Sequence, residues 1–386
     1  MAIVGNSYDN KKKVKVAVIG ATGYVGIEIV RILQNHPMVE ITSVIGQSFV
    51  GQKISDVYPN LRGIFDMECI SLDIESLPEK ADVFINCLPH GISKEFIPLL
   101  LEKGKKIIDH GGDFRYKNVE VYEKWYKTKH ELPELLKIAV YGLPELYREA
   151  IKDAVLVANP GCYPTCSILG LAPLLKNKLI QTDNIIIDAA SGITGAGRKT
   201  DLQYSFCEST ENFKAYGVAT HRHTSEIEQE LSLLAGKEIM VSFTPHLLPM
   251  KRGILATIYA NLNSELTANK SSCKGADKAT CNGVNCEIKE EAEITTSKLI
   301  ELYRKFYKND KFVRILDEGK LPETKNVAGS NFIDIGIVLD KRMNRVIVLS
   351  ALDNLGKGAA SQAIQCLNIM CGFPEETGLM TPGLYL

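Results

Sequence analysis

The stretch Asn159-Pro160-Gly161-Cys162-Tyr163-Pro164-Thr165 places one cysteine where a thiol can act as a nucleophile. It follows the strand-like run Ala154-Val155-Leu156-Val157-Ala158 and precedes an apolar, helix-like run with Ile168, Leu169, Leu171, Leu174 and Leu175. Cys162 is therefore expected on a tight turn at the mouth of a helix, where unpaired N–H groups favour thiolate over thiol. A thiolate is a strong nucleophile, and the setting predicts covalent catalysis. The competing reading is a buried structural cysteine, and the rest of the chain argues against it.

An acid/base partner is expected in His221-Arg222-His223-Thr224-Ser225-Glu226, just ahead of an amphipathic helix with Ile227, Leu231 and Leu234. Thr224 or Ser225 suits the N-cap. In an extended segment His221 and His223 point the same way. No third ligand accompanies them, so an acid/base histidine beside a substrate-binding one is expected rather than a metal pair. Of the other histidines, His90 and His110 follow predicted strands and can line a cleft, while His36 and His130 are expected to face solvent. Three arginines on turns at strand ends are candidates for anionic groups of a substrate: Arg115, Arg198 in the glycine-rich loop 191–199, and Arg252.

The elements that must position these groups begin with Val14–Gly20, a nearly all-apolar strand. It runs into Gly20-Ala21-Thr22-Gly23-Tyr24-Val25-Gly26 and then a helix with Ile29, Ile32 and Leu33 on one face. Strand, glycine turn and helix open a dinucleotide-binding unit, in which glycines admit a pyrophosphate to the backbone and the helix N-terminus supplies donors. The expected contacts are Gly20, Thr22, Gly23, Tyr24, Val25 and Gly26. No acidic residue lies between Glu40 and Asp56, at the end of the second strand, where NAD-specific proteins often bind a ribose hydroxyl. Gln47, Ser48 and Lys53 stand there instead, so NADP(H) is expected. A cysteine beside a nicotinamide implies thioester formation from an activated acyl group, followed by hydride transfer to give an aldehyde. The natural activated acid is a small acyl phosphate, and inorganic phosphate is the leaving group.

Further strands are expected at Val39–Ile45, Ala81–Leu88 and Lys105–Asp109, alternating with helices as in a parallel sheet covered on both faces. After Cys162 strands dominate: Ile185–Ala189, Glu238–Thr244, Ile254–Leu262, Phe332–Val338 and Arg345–Ala351. The fold class is α/β: a Rossmann-type domain plus an α+β catalytic and oligomerisation domain with a mixed, mostly antiparallel sheet. Residues 1–160 and 357–386 are assigned to the NADP-binding domain and 161–356 to the catalytic domain. The polar segment 263–291 reads as an exposed, mobile insertion, and its Cys273, Cys281 and Cys286 lack metal-ligand spacing.

At 386 residues the chain has room for two cores, and 45% hydrophobic with 24% charged residues is ordinary for a globular protein. A net charge of −1 gives no case for nucleic acid or an anionic membrane. No apolar run is long enough to span a bilayer. Met1–Lys13 has no apolar signal core, and ten scattered cysteines do not form a secreted disulfide framework. A cytoplasmic enzyme is expected.

From about Lys15 to Leu386 the chain resembles the N-acetyl-γ-glutamyl-phosphate reductase family, type 1. The resemblance rests on GATGYVG at Gly20, AVYGLPELYRE at Ala139, NPGCYPT at Asn159 and SGITGAGRK at Ser191. It continues through ENFKAYGVATHRHTSEIEQ at Glu211, PHLLPMKRG at Pro245, VAGSNFIDIG at Val327 and DNLGKGAASQA at Asp353. The resemblance implies NADPH-dependent reductive dephosphorylation of N-acetyl-L-glutamyl 5-phosphate to the 5-semialdehyde, in arginine biosynthesis. It implies Cys162 as the thioester-forming residue, His223 as acid/base and His221 as a substrate-pocket neighbour. Ser191, Gly192 and Asn354 are implied on the nicotinamide side, with Pro89 near them. It also implies homo-oligomers, dimers or tetramers, and a last helix packed on the first domain. Departures are Ala219-Thr220 where glycines are more common, Ser225 in place of Pro, and Ser361 in place of Gly. Two alternatives stand beside this reading. One is a sister enzyme acting on aspartyl or aminoadipyl phosphate by the same chemistry. The other is a non-catalytic NADP-binding sensor, which would have no need of Cys162, His221 and His223.

Overall fold

The computed structural model describes residues 12–263 and 293–385, so the expected insertion lies, beyond Asn263, outside the described residues. Two seven-stranded sheets organise the chain. The first contains β1 (Val14–Ile19), β2 (Val39–Ile45), β3 (Cys69–Ile70), β4 (Val83–Asn86), β5 (Lys106–Asp109), β6 (Val140–Tyr141) and β7 (Leu156–Ala158). Its order is β3-β2-β1-β4-β5-β7-β6, and every pairing is parallel. Val16, Val18, Val83, Ile85 and Ile108 are buried to one side of it, and Ala17, Ile19, Phe84 and Ile107 to the other. This double burial is why these strands read as unbroken apolar runs. The strand order turns back at β1, so the carboxyl ends of β1, β2 and β4 frame a crevice suited to a ligand.

The second sheet contains β8 (Ile185–Gly192), β9 (Lys214–Ala215), β10 (Val241–Leu248), β11 (Ile254–Asn261), β12 (Val313–Ile315), β13 (Ile333–Asp340) and β14 (Arg345–Leu352). The order β12-β13-β14-β11-β8-β10-β9 mixes parallel β8–β10 and β12–β13 pairs with antiparallel ones. One face packs on helices Cys162–Lys176, His223–Ala235 and Thr296–Phe306, through Ile187, Ile258, Leu169, Ile227 and Ile300. β10 runs on past the expected end at Thr244, through Pro245. Pro245 is in register with Ala189 of β8, and its carbonyl accepts from the Tyr216 N–H at 3.1 Å, so the position keeps its acceptor although proline has no N–H to donate.

The chain returns to the first sheet at its end. A π-helical turn, Gly356–Ala360, leads into helix Ser361–Met370, whose Ile364, Leu367 and Met370 join the core around Val16 and Ile29. Lys357, fully buried in that turn, donates to Glu145 Oε1 at 2.6 Å and to Gln365 Oε1 at 2.7 Å. Two histidines expected at the surface are instead buried. His36 is hydrogen-bonded to Asn368 at 2.8 Å, and His130 to the Asp113 carbonyl at 2.8 Å. Each ring completes a contact between segments distant in sequence, which single-residue exposure patterns do not reveal.

Candidate active site

Cys162 is the first residue of the helix Cys162–Lys176, directly after β7 and the turn Asn159–Gly161. His223 begins the helix His223–Ala235, so Thr224 and Ser225 lie inside that helix and neither is its N-cap. The two helix starts meet. A Cβ built on Gly161 would lie 2.4 Å from His223 Nε2, so only glycine lets the imidazole sit against the turn that carries the thiol. Across from it, a Cβ on Gly358 would fall 2.8 Å from Cys162 Cβ. Glycines on both sides thus admit close approach to the reacting sulfur.

Glu226, one turn beyond His223 and fully buried, ties these parts together. Its Oε1 accepts from the Gly161 N–H at 2.8 Å and from the Tyr141 hydroxyl at 2.8 Å, and its Oε2 accepts from Arg115 Nη1 at 2.9 Å. Arg115 also donates to the His110 carbonyl at 2.8 Å, and its Nε is buried without a partner. Burial works against the Arg115 charge, but the facing Glu226 carboxylate holds its pKa above the ordinary range.

The thiolate expected from the helix terminus is not the resting state. Cys162 keeps some exposure to the cleft, yet burial by the surrounding protein pushes its pKa up to about 11, against hydrogen bonds from the Tyr163 and Cys162 backbone and the charge of Arg115. Removing charge from water outweighs the helix-end field. His223 is held well below 6.5 by burial, then by neighbouring His221, Arg115 and Arg222. His221 is lowered to about 4 by burial and Arg222. Thiol and imidazole are thus both neutral, an arrangement in which an imidazole can accept a thiol's proton. The His223 backbone N–H donates to His221 Nδ1 at 3.1 Å, and the two ring centroids lie 4.8 Å apart.

Two lobes of one cleft meet at Cys162 and His223. The larger, about 510 Å³, runs from the glycine loop to the sulfur. Gly20, Thr22, Gly23, Tyr24, Val25, Ser48, Pro89 and Asn354 line it. Gly20 has φ +79° and sits so close to Cys87 that a Cβ would be 3.0 Å from its carbonyl carbon, the kind of cradle a dinucleotide phosphate occupies. Gly26 does not reach this lobe. It packs the helix on the strand end, where a Cβ would be 2.3 Å from the Gly20 oxygen. Asn354 Oδ1 accepts from the Gly253 N–H at 2.8 Å, and its amide donates to Thr194 Oγ1 at 3.0 Å.

The smaller lobe, about 410 Å³, includes Arg115, Lys199, Ser191, His221, Arg222 and Tyr216. His90 and His110 also line it. Arg222 lies 4.8 Å over the Tyr126 ring, with Nη1 3.0 Å from His90 Nδ1. Sequence reasoning passed over Arg222 although it stands between the two chosen histidines. Lys199, Tyr126 and Glu226 were equally missed, and for Tyr126 no local pattern gave a signal.

Besides Gly26, three expected ligand contacts are corrected. Arg252 lines neither lobe. It pairs with Glu28 at 2.6 Å and Asp353 at 2.9 Å, joining the second sheet to the first helix. Gly192 lines neither lobe either; a Cβ there would meet the Lys251 backbone at 2.7 Å. Arg198 does not line the small lobe but sits at the glycine-loop end of the large one, with its guanidinium carbon 5.0 Å from the Tyr58 ring centroid.

Family models for the semialdehyde dehydrogenase NAD binding domain and dimerisation domain match residues 15–154, and 162–274 with 281–354. N-acetyl-gamma-glutamyl-phosphate reductase of Acetivibrio thermocellus is 66% identical over 371 residues, covering 96% of this chain and 99% of that protein. The chain belongs to the N-acetyl-γ-glutamyl-phosphate reductase family. The reductase of the same name from Desulforamulus reducens is 51% identical over 372 residues, again 96% of this chain and 99% of that one. Among solved structures, aspartate semialdehyde dehydrogenase II of Vibrio cholerae shares the fold, with TM-score 0.67 at 15% identity over 94% of this chain and 99% of that one. Aspartate semialdehyde dehydrogenase of Candida albicans, solved with NADP, gives TM-score 0.66 at 15% identity over 93% and 99%. This reductase is therefore an oxidoreductase built on the semialdehyde dehydrogenase fold. No helix among its described residues is long and apolar enough to cross a membrane.

Proposed function

We propose that the protein reduces N-acetyl-L-glutamyl 5-phosphate to N-acetyl-L-glutamate 5-semialdehyde with NADPH, in arginine biosynthesis, through a thioester on Cys162. One observation carries the choice of substrate. The described residues lining the small lobe include Arg115, Lys199 and Arg222 and no Asp or Glu. Cations suit a phosphate and an α-carboxylate, whereas the free α-ammonium of aspartyl phosphate would call for a carboxylate that this lobe lacks. Glu226 does not serve, being buried behind Arg115 and paired with it.

In this reading Cys162 Sγ attacks the acyl carbon while its proton passes to His223, and phosphate leaves the tetrahedral adduct. Arg222 and Lys199 hold the anionic groups, and His221 and Tyr216 shape the wall beside the acyl chain. NADPH, when bound in the large lobe, supplies hydride to the thioester carbon. His223 then protonates the resulting oxyanion, and collapse of the thiohemiacetal breaks the C–S bond, releases the aldehyde and regenerates the thiol. Asn354 and Thr194, which line the large lobe, would stand beside a bound cofactor, with Ser191 on the small-lobe side.

The outer face of the second sheet carries partly exposed Ile186, Leu255, Tyr259, Ile347 and Leu349, opposite the helix-covered face. A second copy covering this face accounts for the family's dimerisation domain, giving a homodimer or a pair of dimers. The described cysteines are free thiols, which fits a cytoplasmic enzyme.

The test runs the reaction backwards. Phosphate-dependent reduction of NADP⁺ is measured with N-acetylglutamate semialdehyde and with aspartate semialdehyde, using Cys162→Ser as control. Activity on the first alone, lost in the variant, supports the proposal. Turnover of aspartate semialdehyde alone overturns the substrate assignment, and turnover of neither aldehyde overturns the proposed reaction.

A further inference from the structure

Arg198 is a cation from the second domain held against the first. It follows Gly197, whose φ of +80° turns the chain, in the loop that leaves β8. Its Nη1 donates to the Thr22 carbonyl at 3.1 Å and to the Tyr58 hydroxyl at 3.1 Å. Its guanidinium carbon lies 5.1 Å from the Phe49 ring centroid and 5.0 Å from that of Tyr58. No carboxylate among the described residues pairs with it, in contrast to Arg115 and Arg252. Neutral acceptors and ring faces hold the charge without neutralising it.

The place matters as much as the charge. Phe49 directly follows Ser48, and Gly46, Gln47 and Ser48 leave the end of β2 as lining of the large lobe. In this type of fold the adenosine ribose lies at that strand end. The first domain puts no charge there: Gln47 and Ser48 are neutral, and Lys53, the nearest cation in sequence, does not line the lobe. Of the lobe's cations, Arg115 is beside Cys162 and paired with Glu226, which leaves Arg198 and its neighbour Lys199. Lys199 also lines the small lobe, on the Cys162 side, and only Arg198 contacts the glycine loop.

We propose that Arg198 reads the 2′-phosphate of the cofactor's adenosine, so that coenzyme choice is made by a residue of the catalytic domain reaching across the cleft. The guanidinium offers several further N–H donors to a phosphate. Phe49 and Tyr58 hold it flat at the ribose end. Because Arg198 already bonds Thr22 and Tyr58 of the first domain, a phosphate gripped by it adds a further link between the two domains across the cofactor lobe. This assignment rests on the NADP reading above.

Direct binding tests it without turnover. Titration calorimetry compares 2′,5′-ADP with 5′-AMP on the wild type, Arg198→Ala and Arg198→Lys. The wild type is expected to prefer 2′,5′-ADP. Arg198→Ala should weaken 2′,5′-ADP by about 10- to 100-fold, the worth of charge-assisted hydrogen bonds, and leave 5′-AMP unchanged. Arg198→Lys should fall between, keeping charge without the fork. A wild type with no preference overturns the NADP reading itself. A preference that survives Arg198→Ala overturns only the assignment to Arg198. Equal weakening of both ligands marks a structural role and also overturns it.

Discussion

The backbone N–H of Gly161 donates to Glu226 Oε1 at 2.8 Å, so the turn bearing Cys162, the proposed nucleophile, hangs from the helix bearing His223, the proposed acid/base group. Glu226 lines neither lobe of the cleft, but it bonds Arg115 and the Gly161 backbone, which do line it. It acts by position. Glu226→Gln keeps an acceptor for Gly161 but leaves Arg115 buried without its counter-charge, a loss of about 3–5 kcal/mol when a buried pair is broken. Glu226→Ala also removes the tether. Steady-state rates should fall further in Glu226→Ala than in Glu226→Gln, by up to about 100-fold, the scale expected from an ångström of misplacement. The fall should be in kcat, with KM for the cofactor little changed. An unchanged kcat in Glu226→Ala would show that the tether is irrelevant to catalysis.

Gly161→Ala tests the same junction from the other side. Its new methyl would fall 2.4 Å from His223 Nε2, and the imidazole has to move away. The sulfur itself is not blocked. The variant should lose about 100-fold or more in kcat while Cys162 still reacts with a small alkylating agent. Loss of both would mean the whole turn is disordered, and retention of both would mean His223 need not lie where it does.

The raised thiol and lowered imidazole make a pH prediction with a definite sign. Cys162 titrates at about 11, so at pH 7 nearly all of it is thiol. Iodoacetamide should alkylate it slowly at neutrality, with a rate climbing about tenfold per pH unit toward that value. A plateau already reached at pH 7 would instead reveal a preformed thiolate. His223 works as a base only when neutral, and its folded pKa lies well below 6.5. The acid limb of kcat/KM should therefore fall below pH 6.5, not at it. His223 resists protonation only in the folded state, so the same shift costs stability as pH drops below 6.5.

Much of the scaffold around the proposed site was legible in the sequence, for reasons that differ by element. β1, the glycine loop and helix Tyr24–Leu33 are local in sequence, although the crowding that calls for glycine at Gly20 comes from Cys87, far along the chain. Cys162 was expected at the mouth of a helix and is there, whereas His223 was expected in an extended segment ahead of a helix that it in fact begins. Direction was not legible. Arg252 looked like a ligand on a strand-end turn, but its partner Glu28 lies 224 positions away. The thiolate was misjudged because a helix end can be seen in a sequence and the burial that overrides it cannot. Glu226 was passed over for the same reason: a glutamate on an amphipathic helix reads as solvated until Tyr141, Gly161 and Arg115 are found around it.

Asp109, at the end of β5, offers a prediction about stability. It is fully buried, one oxygen accepts from Asn86 Nδ2 at 2.6 Å, and the other has no partner. Burial raises its pKa to about 7, chiefly by desolvation, with the Asn86 hydrogen bond working the other way. A carboxyl that prefers to stay protonated when folded stabilises the protein at low pH. That contribution is whole below the unfolded value of 3.8 and is lost as pH rises through about 7. The slope is at most about 1.4 kcal/mol per pH unit within that window. Asp109→Asn cannot ionise and keeps an oxygen for Asn86, so it removes the loss. Thermal melts at pH 5 and pH 8 should show the variant gaining on the wild type as pH rises. A constant difference between the two proteins across that range would mean that Asp109 is already ionised in the fold, and that its unpartnered oxygen is charged at pH 5.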